Sequence, residues 1–290
     1  MSLAERPPDS PCQKLPILDI GNLAYSSYFR HFAAVLRTSW LWLILSGFLI
    51  ATTSWLEQAW MAPIDVKTTS ARPVPVPLTG LADAIIVIAG ISIAVEWHRL
   101  MILNQQPSFS GSNVATGPFW RYVLVSLVLS AIVLLPPLGV VFMALRLLAA
   151  SMGHFNAFFW WIVLVVFGSG GLGIALALRL SPLLAAQAIG RTELTFEEVW
   201  CRTRGNTWRL FLGIVLTALP PLMVPDVVFF SITGFVRPSD ILLSVAGTIT
   251  ILYYLLVLPI SIGFLSHAYR HFFKGPAGPG ERLEGQRLAA

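Results

Sequence analysis

Charge is scarce in this 290-residue chain: Asp, Glu, Lys and Arg make up 11% of it, against roughly a quarter of a soluble domain. Cysteine is scarcer still, at two residues, Cys12 and Cys201. Both fall in segments that the charge pattern below assigns to the cytoplasm, so they read as free thiols and neither a disulfide framework nor a paired metal motif is available. No HExxH, paired CxxC or Walker-type P-loop occurs, and no GxSxG elbow, so zinc-hydrolase, ATPase and serine-hydrolase chemistry have no support. No metal site, cofactor or catalytic set is expected. What the chain has in quantity is apolar surface: 56% of residues are hydrophobic and the mean hydropathy is +0.75. The solvent for such a surface is lipid. The net charge of +5 would suggest nucleic acid in a soluble protein; beside membrane segments it points to anionic lipid headgroups.

Six apolar stretches are each long enough to cross a bilayer. They run at about Trp40 to Trp60, Leu81 to Leu103, Phe119 to Leu145, Ala157 to Leu180, Trp208 to Ile232 and Ile241 to Arg270. The chain is therefore expected to be an all-α polytopic membrane protein. The first run lacks a small-residue cleavage site and reads as a retained anchor. Lysine and arginine fall on alternate connections, fifteen on one side against four on the other, and the positive-inside rule puts the richer side, with both termini, in the cytoplasm. Residues 1–16 and 275–290 read as disordered ends around a membrane domain at 17–274, and Pro63 to Thr79 as an extended, proline-rich outer loop.

The spans pair into three hairpins with similar spacing. Trp40 to Arg99 and Trp120 to Arg179 are each 59 residues apart, and Trp208 to Arg270 is 62. That regularity predicts a parallel two-helix repeat rather than the inverted repeat of many transporters. Two interfacial amphipathic helices are expected. The stripe of the first is Tyr25, Tyr28, Phe29, Phe32, Val35 and Leu36; the second opens on the capping pair Thr195 and Glu198, carries Phe196, Val199, Trp200 and Thr203, and ends at Gly205.

Gly168-Ser169-Gly170-Gly171-Leu172-Gly173 matches the dinucleotide fingerprint GxGxxG, with Glu193 twenty residues beyond. The fingerprint needs a βαβ unit in water, whereas these glycines lie within an uncharged run flanked by other spans. Small residues at this spacing let helices approach in lipid, so Gly168, Gly170, Gly171 and Gly173 are expected to make the fourth span the most closely packed. Pro136-Pro137 and Pro220-Pro221 lie inside the third and fifth spans and free backbone carbonyls there. Glu96 and His98 form a candidate polar cluster near the inner end of the second span, with Arg99 one turn from Glu96 as its ion-pair partner. Arg99, Arg179, Arg202, Arg204 and Arg209 are the candidate contacts to headgroups or protein partners.

Ser92-Ile93-Ala94-Val95-Glu96-Trp97-His98-Arg99 and the stretch from Glu198 to Phe211 resemble uncharacterised proteobacterial integral membrane proteins. These in turn are similar to the membrane domain attached to some glycerophosphoryl diester phosphodiesterases. The resemblance implies an inner-membrane bundle without catalytic residues of its own. The sequence thus leads to a non-enzymatic membrane protein that organises anionic lipids or partner proteins, among them a second copy of itself, through a basic face. The alternative is a small-molecule transporter or channel subunit with its path between the hairpins. A lipid-modifying enzyme would need Glu96, His98, Arg99, Arg179 and Arg209 to converge.

Overall fold

The computed structural model describes residues 14–61, 76–108, 111–150, 155–233 and 240–273. Among these the protein is all α, with nine α-helices and no strand: α1 (Ile17–Arg30), α2 (Phe32–Met61), α3 (Val76–Leu103), α4 (Gly117–Ala150), α5 (Phe155–Leu180), α6 (Pro182–Ala188), α7 (Phe196–Arg202), α8 (Thr207–Thr233) and α9 (Asp240–Phe273). Six are long and apolar enough to cross a membrane: α2, α3, α4, α5, α8 and α9. The protein is thus a multi-pass membrane protein, and the hairpins α2–α3, α4–α5 and α8–α9 all pack as pairs.

Burial is uneven. The spans in α3 and α9 are 44% and 39% buried, whereas those in α4 and α5 are 6% and 11% buried. The core is therefore α3 and α9, with α2 beside them; Trp42, Ala89, Ile93 and Leu255 form one apolar cluster between these three helices. The α4–α5 hairpin is the least covered, and it joins the rest through α6, α8, α3 and α7. The span in α5 is thus among the least covered, yet its contact with α4 is the most extensive between any two helices described; what is corrected is the set of glycines that makes it. An added Cβ at Gly168, Gly170 or Gly171 would meet nothing within 4 Å, while at Gly173 it would lie 2.8 Å from the Ile132 carbonyl oxygen. Only Gly173 lies on the side of the helix that faces α4.

The expected amphipathic helix at 25–36 is also corrected. His31 leaves helical geometry (φ −107°, ψ 26°) and divides the stripe between α1 and α2. The face that α1 buries is Ile20, Ala24 and Tyr28, at i, i+4 and i+8, with Phe29 69% exposed. Small residues on this face permit a close approach: a Cβ on Gly263 of α9 would lie 3.7 Å from the Ala24 Cα. α1 therefore packs into the bundle, against α8 and α9. Leu15, assigned by sequence to the unstructured start, is fully buried and its N–H donates to the Asn206 side-chain oxygen at 2.9 Å.

The second short helix forms as expected. Thr195 caps α7 by accepting the Glu198 N–H at 3.2 Å, and Val199 and Thr203 are its fully buried residues. Of the proline-rich outer loop, Val76 to Thr79 form the first turn of α3, and the rest lies outside the described residues, as do Cys12 and the C-terminal tail.

Candidate functional site

One face of α3 is polar along its C-terminal half because Ser92, Glu96 and Arg99 recur at i, i+4 and i+7. The chain that follows α3 folds back onto this face. Asn113, in a 3-10 turn at Ser112–Ala115, accepts a hydrogen bond from Ser92 Oγ at 2.7 Å and donates through Nδ2 to the Ser92 carbonyl at 2.9 Å. The Trp42 indole N–H donates to the same Ser92 hydroxyl at 3.1 Å. Lower down, the Glu96 carboxylate accepts from Ser108 twice, from its N–H at 3.2 Å and its hydroxyl at 3.1 Å. Gly111 takes φ +83°, and a Cβ there would press on the Trp42 ring at 3.3 Å. Glycine is thus required at that turn on both counts.

Depth gives this contact its interest. Ser92 lies eleven residues before the end of α3, roughly 16 Å at 1.5 Å per residue, near the middle of the span Gly80–Leu103. Non-helical backbone at that depth is tolerated only where protein covers it or where it lines a water-filled path. Here Asn113 is buried and Val114 packs on the cluster of Trp42, Ala89, Ile93 and Leu255. In the sequence, residues 104–116 simply fall between the expected spans Leu81 to Leu103 and Phe119 to Leu145. The signal that could have marked it is its polar, Ser- and Asn-rich content beside an apolar span carrying Ser92 and Glu96.

Glu96 and His98 do not share a cluster. Two residues apart, they point about 200° apart around the helix. His98 faces α9, fully buried, with Nδ1 2.8 Å from Ser266 Oγ. The Ser266 hydroxyl hydrogen is already donated to the Ile262 carbonyl at 2.8 Å, so His98 Nδ1 carries the proton and donates to Ser266. Its Nε2 is then a buried acceptor without a hydrogen-bond partner among the described residues, with the Tyr122 ring centroid 5.8 Å away. The Glu96–Arg99 pair is long, at 3.9 Å; the firmer bond of Arg99 is from Nε to the Ala188 carbonyl, at 2.9 Å.

That use of arginine recurs. Arg179 donates to the Trp200 carbonyl at 2.7 Å, with its guanidinium 3.4 Å from the Trp200 ring centroid. Arg202 pairs with Glu198 at 2.8 Å and donates to the Phe272 carbonyl at 3.3 Å. Arg209 donates to the Leu15 carbonyl at 2.8 Å. Each fixes a helix end or connecting segment to its neighbour, and the side chains that an enzyme would need together engage separate partners. Arg204 is exposed.

Exposed cations at this end of the bundle are Lys14, Arg30, Arg37, Arg121 and Arg204. Trp40, Trp120 and Trp208, the openings of the three hairpins, are 40%, 57% and 69% exposed. Burial and then the nearby Arg30 lower the His31 pKa, which disfavours its charged form. The structure therefore offers two candidate sites, a polar contact at mid-span and the exposed cations and tryptophans near the helix ends. No family model, no curated protein and no solved structure matches this chain, so both rest on its own geometry.

Proposed function

We propose that the protein is a non-enzymatic component of a bacterial inner membrane, with both termini in the cytoplasm, that gathers anionic lipid at its basic end. The observation that carries this reading is that the tryptophans opening the three hairpins (Trp40, Trp120, Trp208) and the nearby cations (Lys14, Arg30, Arg37, Arg121, Arg204) are all exposed. Indole rings favour the headgroup level, and each surface cation contributes about 1 kcal/mol of attraction to an anionic leaflet. Arg99, Arg179, Arg202 and Arg209 support this surface indirectly, by holding the helix ends that present it.

The test is lipid retention by the intact protein in mild detergent, read by mass spectrometry of what co-purifies. Phosphatidylglycerol and cardiolipin should be enriched over phosphatidylethanolamine, and replacing Arg30, Arg37, Arg121 and Arg204 together by glutamine should remove most of that enrichment. Equal retention by the variant, or no preference in the original protein, would discard the proposal.

The transporter reading keeps one specific support, the polar contact of Ser92 with Asn113 at mid-span. In a background lacking both native cysteines, Asn113→Cys in sealed vesicles is expected to resist a membrane-impermeant maleimide if Asn113 is merely packed. Rapid labelling would mean that water reaches mid-span, and would favour transport over lipid gathering.

A further inference from the structure

A helix that contains two adjacent prolines loses two backbone donors, and the carbonyls left over are those four residues earlier. For Pro220-Pro221 in α8 these are Leu216 and Thr217. The Tyr25 hydroxyl of α1 lies 3.1 Å from the Leu216 carbonyl oxygen and 3.3 Å from that of Thr217. One phenolic proton is thus shared between the two acceptors that the prolines expose. The Thr217 hydroxyl does not compete for the role, because it donates to the Gly213 carbonyl at 2.8 Å. Leu216 is 40% exposed on the outside of the bundle, ten residues beyond Asn206, where lipid offers no donor in place of water.

We infer that α1 is a strap that secures α8 at its proline pair, with the Tyr25 hydroxyl replacing the two amide donors removed by Pro220 and Pro221. Its other fastenings bracket that contact. At the start, Leu15 donates to Asn206 and accepts from Arg209; beyond it, Ser27 Oγ lies 3.2 Å from His267 Nε2 of α9. In between, a Cβ on Gly21 would lie 3.9 Å from the Thr217 methyl. When α1 is docked, both carbonyls share a donor and the proline-containing turn is stable. When α1 lifts away, they are stranded in hydrocarbon and α8 must change shape or draw α1 back. The two helices are therefore coupled, and a ligand or protein that binds α1 would act on the fifth span through this hydroxyl.

A double-mutant cycle tests the coupling. Tyr25→Phe keeps the ring and removes the donor; Pro220→Ala with Pro221→Ala restores the two amide N–H groups. In detergent, Tyr25→Phe is expected to lower the thermal unfolding midpoint by several degrees in the proline-containing chain, and to have little effect once both prolines are alanine. An undiminished loss in the alanine background, or no loss in either, would overturn the inference. A second measurement does not depend on purification. In a background free of native cysteines, Gly21→Cys with Thr217→Cys should form a disulfide in intact membranes, several-fold more slowly with Tyr25→Phe. A rate unaffected by Tyr25→Phe would count against the strap.

Discussion

Gly173→Val will separate α4 from α5, while Gly168→Ala, Gly170→Ala and Gly171→Ala will leave the protein as stable as before. The difference follows from what each Cβ would meet. At Gly173 it would lie 2.8 Å from the Ile132 carbonyl oxygen and 2.9 Å from the Val133 Cα, both backbone, and at the other three it meets nothing within 4 Å. Backbone cannot rotate out of the way as a side chain can, so even Gly173→Ala should cost on the order of 1–3 kcal/mol, and valine more. The other three glycines cost the helix propensity without easing any contact, so alanine there is neutral to slightly stabilising, by at most about 1 kcal/mol. Unfolding of each variant in a titration of mild detergent against dodecyl sulfate would measure the series. A Gly173→Val variant as stable as the original would show that α4 and α5 do not meet as described.

The partner of Gly173 has a cause of its own. Ile132 and Val133 stand four residues before Pro136 and Pro137, so their carbonyls are the ones that α4 leaves without an amide donor. Glycine brings its Cα–H groups against these acceptors, a weak donor where no strong one is available. The paired prolines in the third and fifth spans are thus met in two ways, by a glycine backbone in one and by the Tyr25 hydroxyl in the other. Sequence shows that such carbonyls exist, since proline position alone decides it. It does not show which neighbour answers them, because that depends on how hairpins sit against one another.

The same division runs through the rest of the molecule. The six spans were legible, since a run of some twenty apolar residues has few other uses, and the boundaries agree closely at Leu103, Leu180 and Trp208. The first span begins earlier, at Phe32 rather than Trp40, because a tryptophan expected at the headgroup level was read as the start of the helix. Thr195 and Glu198 marked the start of α7, since a cap is local. The arginines were misleading in detail: a guanidinium that binds a lipid phosphate and one that binds the carbonyl of a distant turn look alike in sequence, and Arg99 and Arg209 do the latter. Asn113 drew no notice in the sequence, and Tyr25 only as part of an apolar stripe, for a related reason. Their partners lie 21 and 191 residues away, and no spacing rule reaches that far.

Gly213→Ala should be nearly as damaging as Gly173→Val, for a different reason that allows a rescue. A Cβ on Gly213 would overlap the Phe264 ring of α9. That ring is fully buried in a cluster with Leu15, Ile20, Ala24, Leu210, Ala268 and Phe272, where α1, α8 and α9 meet. The obstruction is a side chain, but one with no free space to turn into, so α8 and α9 must part and α1 must loosen with them. The cost is again on the order of 1–3 kcal/mol. Phe264→Ala alone leaves a cavity and should cost about 3–5 kcal/mol. Combining Gly213→Ala with Phe264→Leu should therefore destabilise by clearly less than the sum of the two single changes, because the smaller side chain makes room for the methyl group. The strap geometry adds a second readout: in Gly213→Ala the Gly21→Cys and Thr217→Cys pair should cross-link more slowly, and Phe264→Leu should restore the rate. Strict additivity in stability, with no recovery of cross-linking, would mean that the glycine and the ring do not touch.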